Sequence, residues 1–199
     1  MNRRQIIKIA LGLVLANSTL PSFAISTLNV LESQSQITWS GSKGIKALGT
    51  HTGTVAVKDG KVVINDAGEI TKAEIEIDMS QIDNHDLSGE WKDKLLTHLK
   101  SPDFFDTAKH ASAEFKSKKV MKLANNKYKL IGDMTIKGIK REAAIIGEYS
   151  ADKDHNFKGT MSFDRTDFNI KFGSGQFFTN LGDKMIHDEV KLAFDIKAQ

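Results

Sequence analysis

Few residues of this chain are spaced for chemistry on their own. Ser40-Gly41-Ser42-Lys43 fits the S-x-x-K pattern of penicillin-binding enzymes. Its S-D-N and K-T-G companions are missing, and these residues end a strand-like run where the motif needs a helix. The six histidines, His51, His85, His98, His110, His155 and His187, fall in no H-x-x-x-H or H-E-x-x-H spacing. His85 and Asp86 make a metal site only if the fold carries His98 or His110 to them, so locally hydrogen-bonded imidazoles are the simpler expectation. Gly173-Ser174-Gly175 lacks the third glycine of a phosphate-binding loop. Asp164, Arg165 and Asp167 crowd one strand end, where a close Asp–Arg pair is more often structural than catalytic. These residue types predict no metal site, no cofactor and no catalytic constellation.

The phenylalanines are more informative. Phe104-Phe105 follow a helical run, Phe168 and Phe172 flank Asn169-Ile170-Lys171, and Phe177-Phe178 sit in a long loop from Gly173 to Lys184. Loops are normally polar, so paired phenylalanines in two of them call for burial. Either they plug a barrel end, or they line the mouth of an apolar cavity. With Trp39, Phe115 and Phe163 on strands and Phe172 beside the loop, they form the candidate ligand-contacting set. Arg165 joins them as a strand-end cation for a headgroup, and Lys43, Lys46 and Lys171 are weaker candidates that solvation explains as well.

These side chains hang on a run of short strands. Gln36 to Ser40 is one. Thr54–Val57 and Lys61–Ile64 read as a hairpin turned by Lys58-Asp59-Gly60, because Asp-Gly suits a tight turn. Lys72 to Met79 alternates, with Ala73, Ile75, Ile77 and Met79 on one face against charged residues on the other. Ala111–Val120 and Lys127–Ile136 follow, joined at Asn125-Asn126, and Glu142–Ser150 resumes after Gly138. Phe157, Gly159, Met161 and Phe163 alternate inward, as do Val190, Leu192, Phe194 and Ile196. One helix interrupts the series over about residues 88–100, with Trp91, Leu95 and Leu99 expected to pack it on the strands. Ser88 or Asp86 can cap it, and Ser101-Pro102 ends it. About eight strands without a βαβ rhythm predict an all-β fold, and an eight-stranded antiparallel barrel is preferred. Such a barrel either packs shut or holds one elongated apolar ligand.

The first 24 residues read as a cleaved export signal. Arg3, Arg4 and Lys8 precede an apolar run too short to span a bilayer, and Ser22-Phe23-Ala24 has the form of a cleavage site. Ordinary secretion is favoured over the twin-arginine route, and a single domain over residues 25–199 is expected outside the cytoplasm. Three of the 28 basic residues lie in the signal, leaving 25 against 25 acidic. That balance argues against nucleic acid as a partner. With no cysteine, the core alone must hold the fold.

Several blocks carry a resemblance. His98-Leu99-Lys100-Ser101-Pro102-Asp103-Phe104-Phe105-Asp106, Ala113–Ser117, Gly132–Ile139 and Asp164–Phe168 occur in the order and spacing of the YceI-like family, which the chain closely resembles. Trp39–Lys43 leading to Thr50–Gly53, and Phe172–Lys184, look like one branch of it. The resemblance implies a lipocalin-like barrel in the periplasm that binds a polyisoprenoid or similar amphiphile, and it assigns no catalytic residues. It leaves transient membrane contact and the oligomeric state, a dimer included, open. His110-Ala111 departs from the family pattern. Two further readings stay open: a barrel enzyme using His51, His98 or Asp164, and a packed barrel acting through a protein partner.

Overall fold

The computed structural model describes residues 25–44, 49–152 and 154–199. The expected export signal, Lys46 and Lys153 lie outside the described residues. Among the described residues nine strands form: β1 (Ile25–Asn29), β2 (Gln36–Lys43), β3 (Thr50–Asn65), β4 (Ile70–Asp78), β5 (Ser112–Lys122), β6 (Lys127–Ile136), β7 (Ile139–Ser150), β8 (Asn156–Asp164) and β9 (Ile186–Ile196). One helix, α1 (Gly89–Lys100), lies between β4 and β5. β2 pairs with both β3 and β9, and β3 with β4. The order β2-β9-β8-β7-β6-β5-β4-β3 therefore returns on itself as a closed, antiparallel eight-stranded barrel. β1 is an addition, lying beside the far half of β3 from Ile25–Asn65 to Asn29–Lys61.

The alternating segments behave as their periodicity requires. Ala73, Ile75 and Ile77 of β4 are buried, with Met79 just beyond. Asn125 and Asn126 both adopt positive φ (57° and 55°) in the tight turn from β5 to β6. The expected hairpin at Lys58-Asp59-Gly60 is a correction: β3 runs through it unbroken for 16 residues, with a register shift between Val57 and Asp59. The dipeptide makes a bulge instead of a turn. Asp59 Oδ1 accepts the Gly60 N–H at 2.7 Å, and a Cβ at Gly60 would lie 2.8 Å from Val30 Cγ2. Glycine is needed there for close approach, and the bulge bends one long strand so that it serves β1, β2 and β4.

The antiparallel order separates two ends. Turns after β3, β5 and β7 close one end, where Tyr128, Tyr149, Phe157 and Phe194 are buried. There Tyr128 and Tyr149 meet edge to face at 5.8 Å, and the Tyr149 hydroxyl hydrogen-bonds His155 Nδ1 at 2.7 Å. Connections after β2, β4, β6 and β8 gather at the other end. Here residues 83–85 run beside the first half of β3, with Asp83 N donating to Thr54 O at 2.8 Å and His85 N to Thr52 O at 2.9 Å. Gly53 makes this possible, since a Cβ there would stand 1.8 Å from Asp83 O and 2.8 Å from the Trp39 ring.

α1 begins where expected, but Ser88 gives it no side-chain cap. Asp86 is engaged elsewhere, accepting from the Thr52 N–H and from Asn84 Nδ2, each at 2.7 Å. Leu99 is buried and Leu95 half-buried against the core, whereas Trp91 is 70% exposed. That corrects the expected three-residue packing stripe. At 3.6 residues per turn, each four-residue step overshoots by about 40°, so Trp91 is turned well away from the line of Leu99.

The β8–β9 connection is held by one buried cation. Arg165 is 2% exposed and donates to three carbonyls and a carboxylate: His187 O at 3.1 Å, Ile170 O at 2.8 Å, Ile186 O at 3.0 Å and Asp188 Oδ1 at 3.0 Å. Asp188 Oδ2 in turn accepts from Ser174 Oγ at 3.0 Å and Gln176 Nε2 at 2.9 Å. Burial lowers the Arg165 pKa, while Asp188 and Asp164 act to raise it. A guanidinium's ordinary value is so high that it stays charged.

Two predictions follow from this end of the barrel. Gly53→Ala should destabilise the protein by about 1–3 kcal/mol, because overpacking here presses on backbone. Urea denaturation reads it, and an unchanged midpoint would contradict the close crossing. Arg165→Met should cost about 3–5 kcal/mol by stranding the Asp188 carboxylate. Arg165→Lys should fail to restore this, since an ammonium cannot reproduce the planar fork.

Candidate functional site

At the end opposite the tyrosines the barrel interior is not filled. A cavity of about 590 Å³ opens there, beneath α1 and the β8–β9 connection. Its wall is made of the inward positions nearest the mouth: Trp39, Val55, Ile77, Ala113, Met134, Phe163 and Leu192. One inward step further, at Ile37, Val57, Ile75, Phe115, Met161 and Phe194, the side chains are buried and close the floor. Phe163, Val190 and Leu192, which line the cavity, are less buried than Phe194 and Ile196 on the same inward faces.

The rim combines aromatic rings with polar groups. The His98 ring stands edge-on to Phe104 (4.8 Å) and to Phe172 (4.5 Å), and Phe104 lies 5.9 Å from Phe172. The Arg165 guanidinium sits 5.8 Å over the Phe104 ring. Lys43, His51, Lys94, Lys184 and His187 complete the mouth. His51 Nδ1 hydrogen-bonds Asp86 Oδ2 at 2.7 Å, and His187 Nε2 donates to Gly44 O at 2.7 Å. Burial pushes the Asp86 carboxyl up, but the Thr52 N–H, His51 and Asn84 outweigh it and hold it below the usual carboxylate range. Asn84 is wholly buried, donating to Thr52 O and Asp86 while accepting the Leu87 N–H.

Of the candidates drawn from the sequence, Trp39, Phe104, Phe105, Phe163, Phe172 and Arg165 line this cavity. Phe115 does not: it is one of the buried side chains that close the floor, packed between β4 and β6. Phe177 and Phe178 do not either. Both are about half exposed, and it is Phe172 that faces Phe104. Arg165 borders the cavity beside Phe104, its N–H groups being directed to the loop it holds. Trp39 is also tied, its Nε1 donating to Asp83 O at 3.0 Å. Leu87, Met134, Ile170 and Ile186 line the cavity without having been singled out, and Leu95, expected only to pack the helix, lines it too, since nothing in an aliphatic residue's spacing separates a cavity wall from a core.

The chemistry this arrangement can support is limited. Ser40 follows the inward-facing Trp39 on β2 and so points outward, away from Lys43 at the mouth, which leaves the S-x-x-K pattern without a site. Among the described residues no three His, Asp or Glu side chains are grouped to hold a metal ion. His85 is bonded to Thr54 Oγ1 at 3.1 Å, well separated in its contacts from His98, which faces Asp103 at 3.8 Å. Every ionisable group on the cavity surface stands at its mouth, and the interior beyond is hydrocarbon and aromatic ring.

Known proteins share this architecture. A BcnA crystal structure from Burkholderia cenocepacia superposes with a TM-score of 0.64 at 20% identity, over 84% of this chain and 98% of that one. A domain from Saccharophagus degradans, described as polyisoprenoid binding, gives 0.54 at 15% identity, over 86% and 97%. In sequence, a UPF0312 protein of Shewanella denitrificans is 29% identical over 67% of this chain and 71% of its own length. One from Vibrio parahaemolyticus is 31% identical over 50% of this chain, which spans about half of that relative. The YceI-like domain model matches residues 28–198, from β1 through the last strand of the barrel. Barrel, helical insertion and sequence agree, and the chain belongs to the YceI-like family.

Proposed function

We propose that this protein binds an isoprenoid or similar amphiphilic lipid, of quinone or polyprenyl phosphate type, tail inward in the barrel, and acts as its carrier outside the cytoplasm. One observation carries the reading: a cavity closed at its floor, walled by hydrocarbon, with its ionisable groups confined to the mouth. A tail can enter such a space without burying charge, and its headgroup remains where Lys43, Lys94 and Lys184 stand.

The size is informative. At roughly 30 Å³ per methylene-sized group, the volume a water takes in the liquid, about 20 carbons fit, or about four isoprene units. Burying those from water is worth about 16 kcal/mol, at ~0.8 kcal/mol per methylene. That exceeds the association cost, roughly 4–15 kcal/mol, by a small margin at the upper end. From a bilayer the same transfer is close to neutral, so the protein suits shielding and delivery better than storage. The likeness to the Saccharophagus domain, described as polyisoprenoid binding, supports a polyisoprenoid, and the basic, apolar leader at residues 1–24 supports export to the periplasm. The confinement of acid–base groups to the mouth favours binding over catalysis.

Lipid extracted from natively purified protein and identified by mass spectrometry is expected to include an isoprenoid chain. An added four-unit prenol should quench Trp39, whose ring forms part of the wall. Ala113→Trp, which projects a ring into the cavity, should weaken that binding about tenfold or more while the barrel still folds, a loss of at least ~1.4 kcal/mol. Lipid-free preparations together with no quenching would overturn the reading.

A further inference from the structure

We infer that the rim of the barrel mouth is a docking surface for an anionic lipid bilayer. This rests on the lipid-binding reading for its purpose, but its evidence is separate. The exposed Trp and Phe side chains among the described residues are Trp91 (70%), Phe172 (43%), Phe177 (48%) and Phe178 (49%). All four belong to α1 or to the β8–β9 connection, the two elements that frame the opening. Trp91 and Phe172 border it directly, and Phe177 is tied to the residue beside Phe172 by Lys171 Nζ, 4.6 Å over its ring. Scattered exposed apolar residues are ordinary on a protein surface, but four exposed aromatic rings confined to the two elements that frame one opening mark a binding surface.

Charge names the partner. On the barrel's sides lysines are largely spent on carboxylates, as in Lys58–Glu76, Lys118–Asp133 and Lys122–Glu69. At the rim, Lys43, Lys171 and Lys184 have no carboxylate partner among the described residues. Lys94 is shared between Glu90 at 2.7 Å and the face of Trp91 at 5.1 Å. Glu90, Asp93, Asp167 and Asp183 are the opposing charges on the same elements, against Lys92, Lys94, Lys100, Arg165, Lys171 and Lys184, so the attraction is local and moderate. Rings at the depth of lipid headgroups with lysines reaching phosphates is the chemistry of an interfacial anchor. Among the described residues no helix is long and apolar enough to cross a membrane.

Docking at the mouth also solves a physical difficulty. A chain longer than about four isoprene units outgrows the cavity. With the rim on the bilayer, the excess stays in lipid, and the tail moves between two apolar media without crossing water.

The test is flotation of the protein lacking residues 1–24 with phosphatidylglycerol–phosphatidylethanolamine vesicles and, separately, with phosphatidylcholine vesicles. Association with the anionic vesicles is expected, falling as salt rises. Phe177→Ser with Phe178→Ser should lower the partition about tenfold or more. Because both residues lie outside the cavity, prenol quenching of Trp39 should be unchanged in that variant. Replacing Lys43, Lys171 and Lys184 by Gln should erase an anionic-lipid preference on the order of 100-fold, at about fivefold per lysine. The inference is overturned if the wild-type protein floats with neither vesicle, a result that would leave the rim to a protein partner. It is equally overturned if the double Phe variant floats like the wild type. Vesicle binding without prenol quenching would remove the lipid-carrier reading and leave the docking surface standing; quenching without vesicle binding would do the reverse.

Discussion

An eight-stranded barrel encloses an interior of nearly fixed width, and each inward side chain either fills its share or leaves a void. In this protein the two halves of the barrel meet that constraint differently. Tyr128, Tyr149, Phe157 and Phe194 fill the half below the turns, with the Tyr149 hydroxyl satisfied by His155. In the other half the inward positions include Gly41, Ala113 and Val190, which cannot reach the axis. The resulting space is a dead-end cavity with one mouth, and everything built at that end of the fold serves to frame it.

Framing an opening exposes a second constraint. The backbone around it is irregular, and its N–H and C=O groups must find partners outside any strand ladder. Arg165 answers this for the β8–β9 connection by donating to three carbonyls, and Asn84 and Asp86 do so for the segment that leads into α1. The polar residues that looked chemically interesting in the sequence are therefore mostly holding loops. His51 with Asp86, and Arg165 with Asp188, are paired because the mouth needs fixed walls. A rigid rim is also what lets His98 stay wedged between Phe104 and Phe172.

Much of the fold was legible in the sequence because strand alternation and turn residues are local signals. The alternation of β4 and the Asn125-Asn126 turn were read directly. So was the helical interruption, from its Ser-Pro stop and its aliphatic spacing. The hairpin at Asp59-Gly60 was misread, because the same dipeptide serves a tight turn and a bulge, and only the partner strands decide. For the site, inward aromatic positions on strands near the mouth were readable, as with Trp39 and Phe163. Phe115 was not separable from them, since its depth along the barrel depends on where the cavity ends. Phe177 and Phe178 were expected to be buried because loops are normally polar, but their loop is pinned by Arg165 and Asp188 with the rings outside. A partner 23 residues away leaves no local trace.

The central claim is that a lipid tail occupies the mouth half of the barrel and stops at its floor. The methionines report on this from within, since Met134 and Met79 line the cavity, Met161 lies at its floor and Met121 is on the outside. Methyl NMR of methionine-labelled protein titrated with a four-unit prenol tests it most directly. The account predicts large shifts and ligand contacts for Met79 and Met134, with Met121 unmoved and Met161 moved little. Shifts confined to Met121, or none at all, would contradict it.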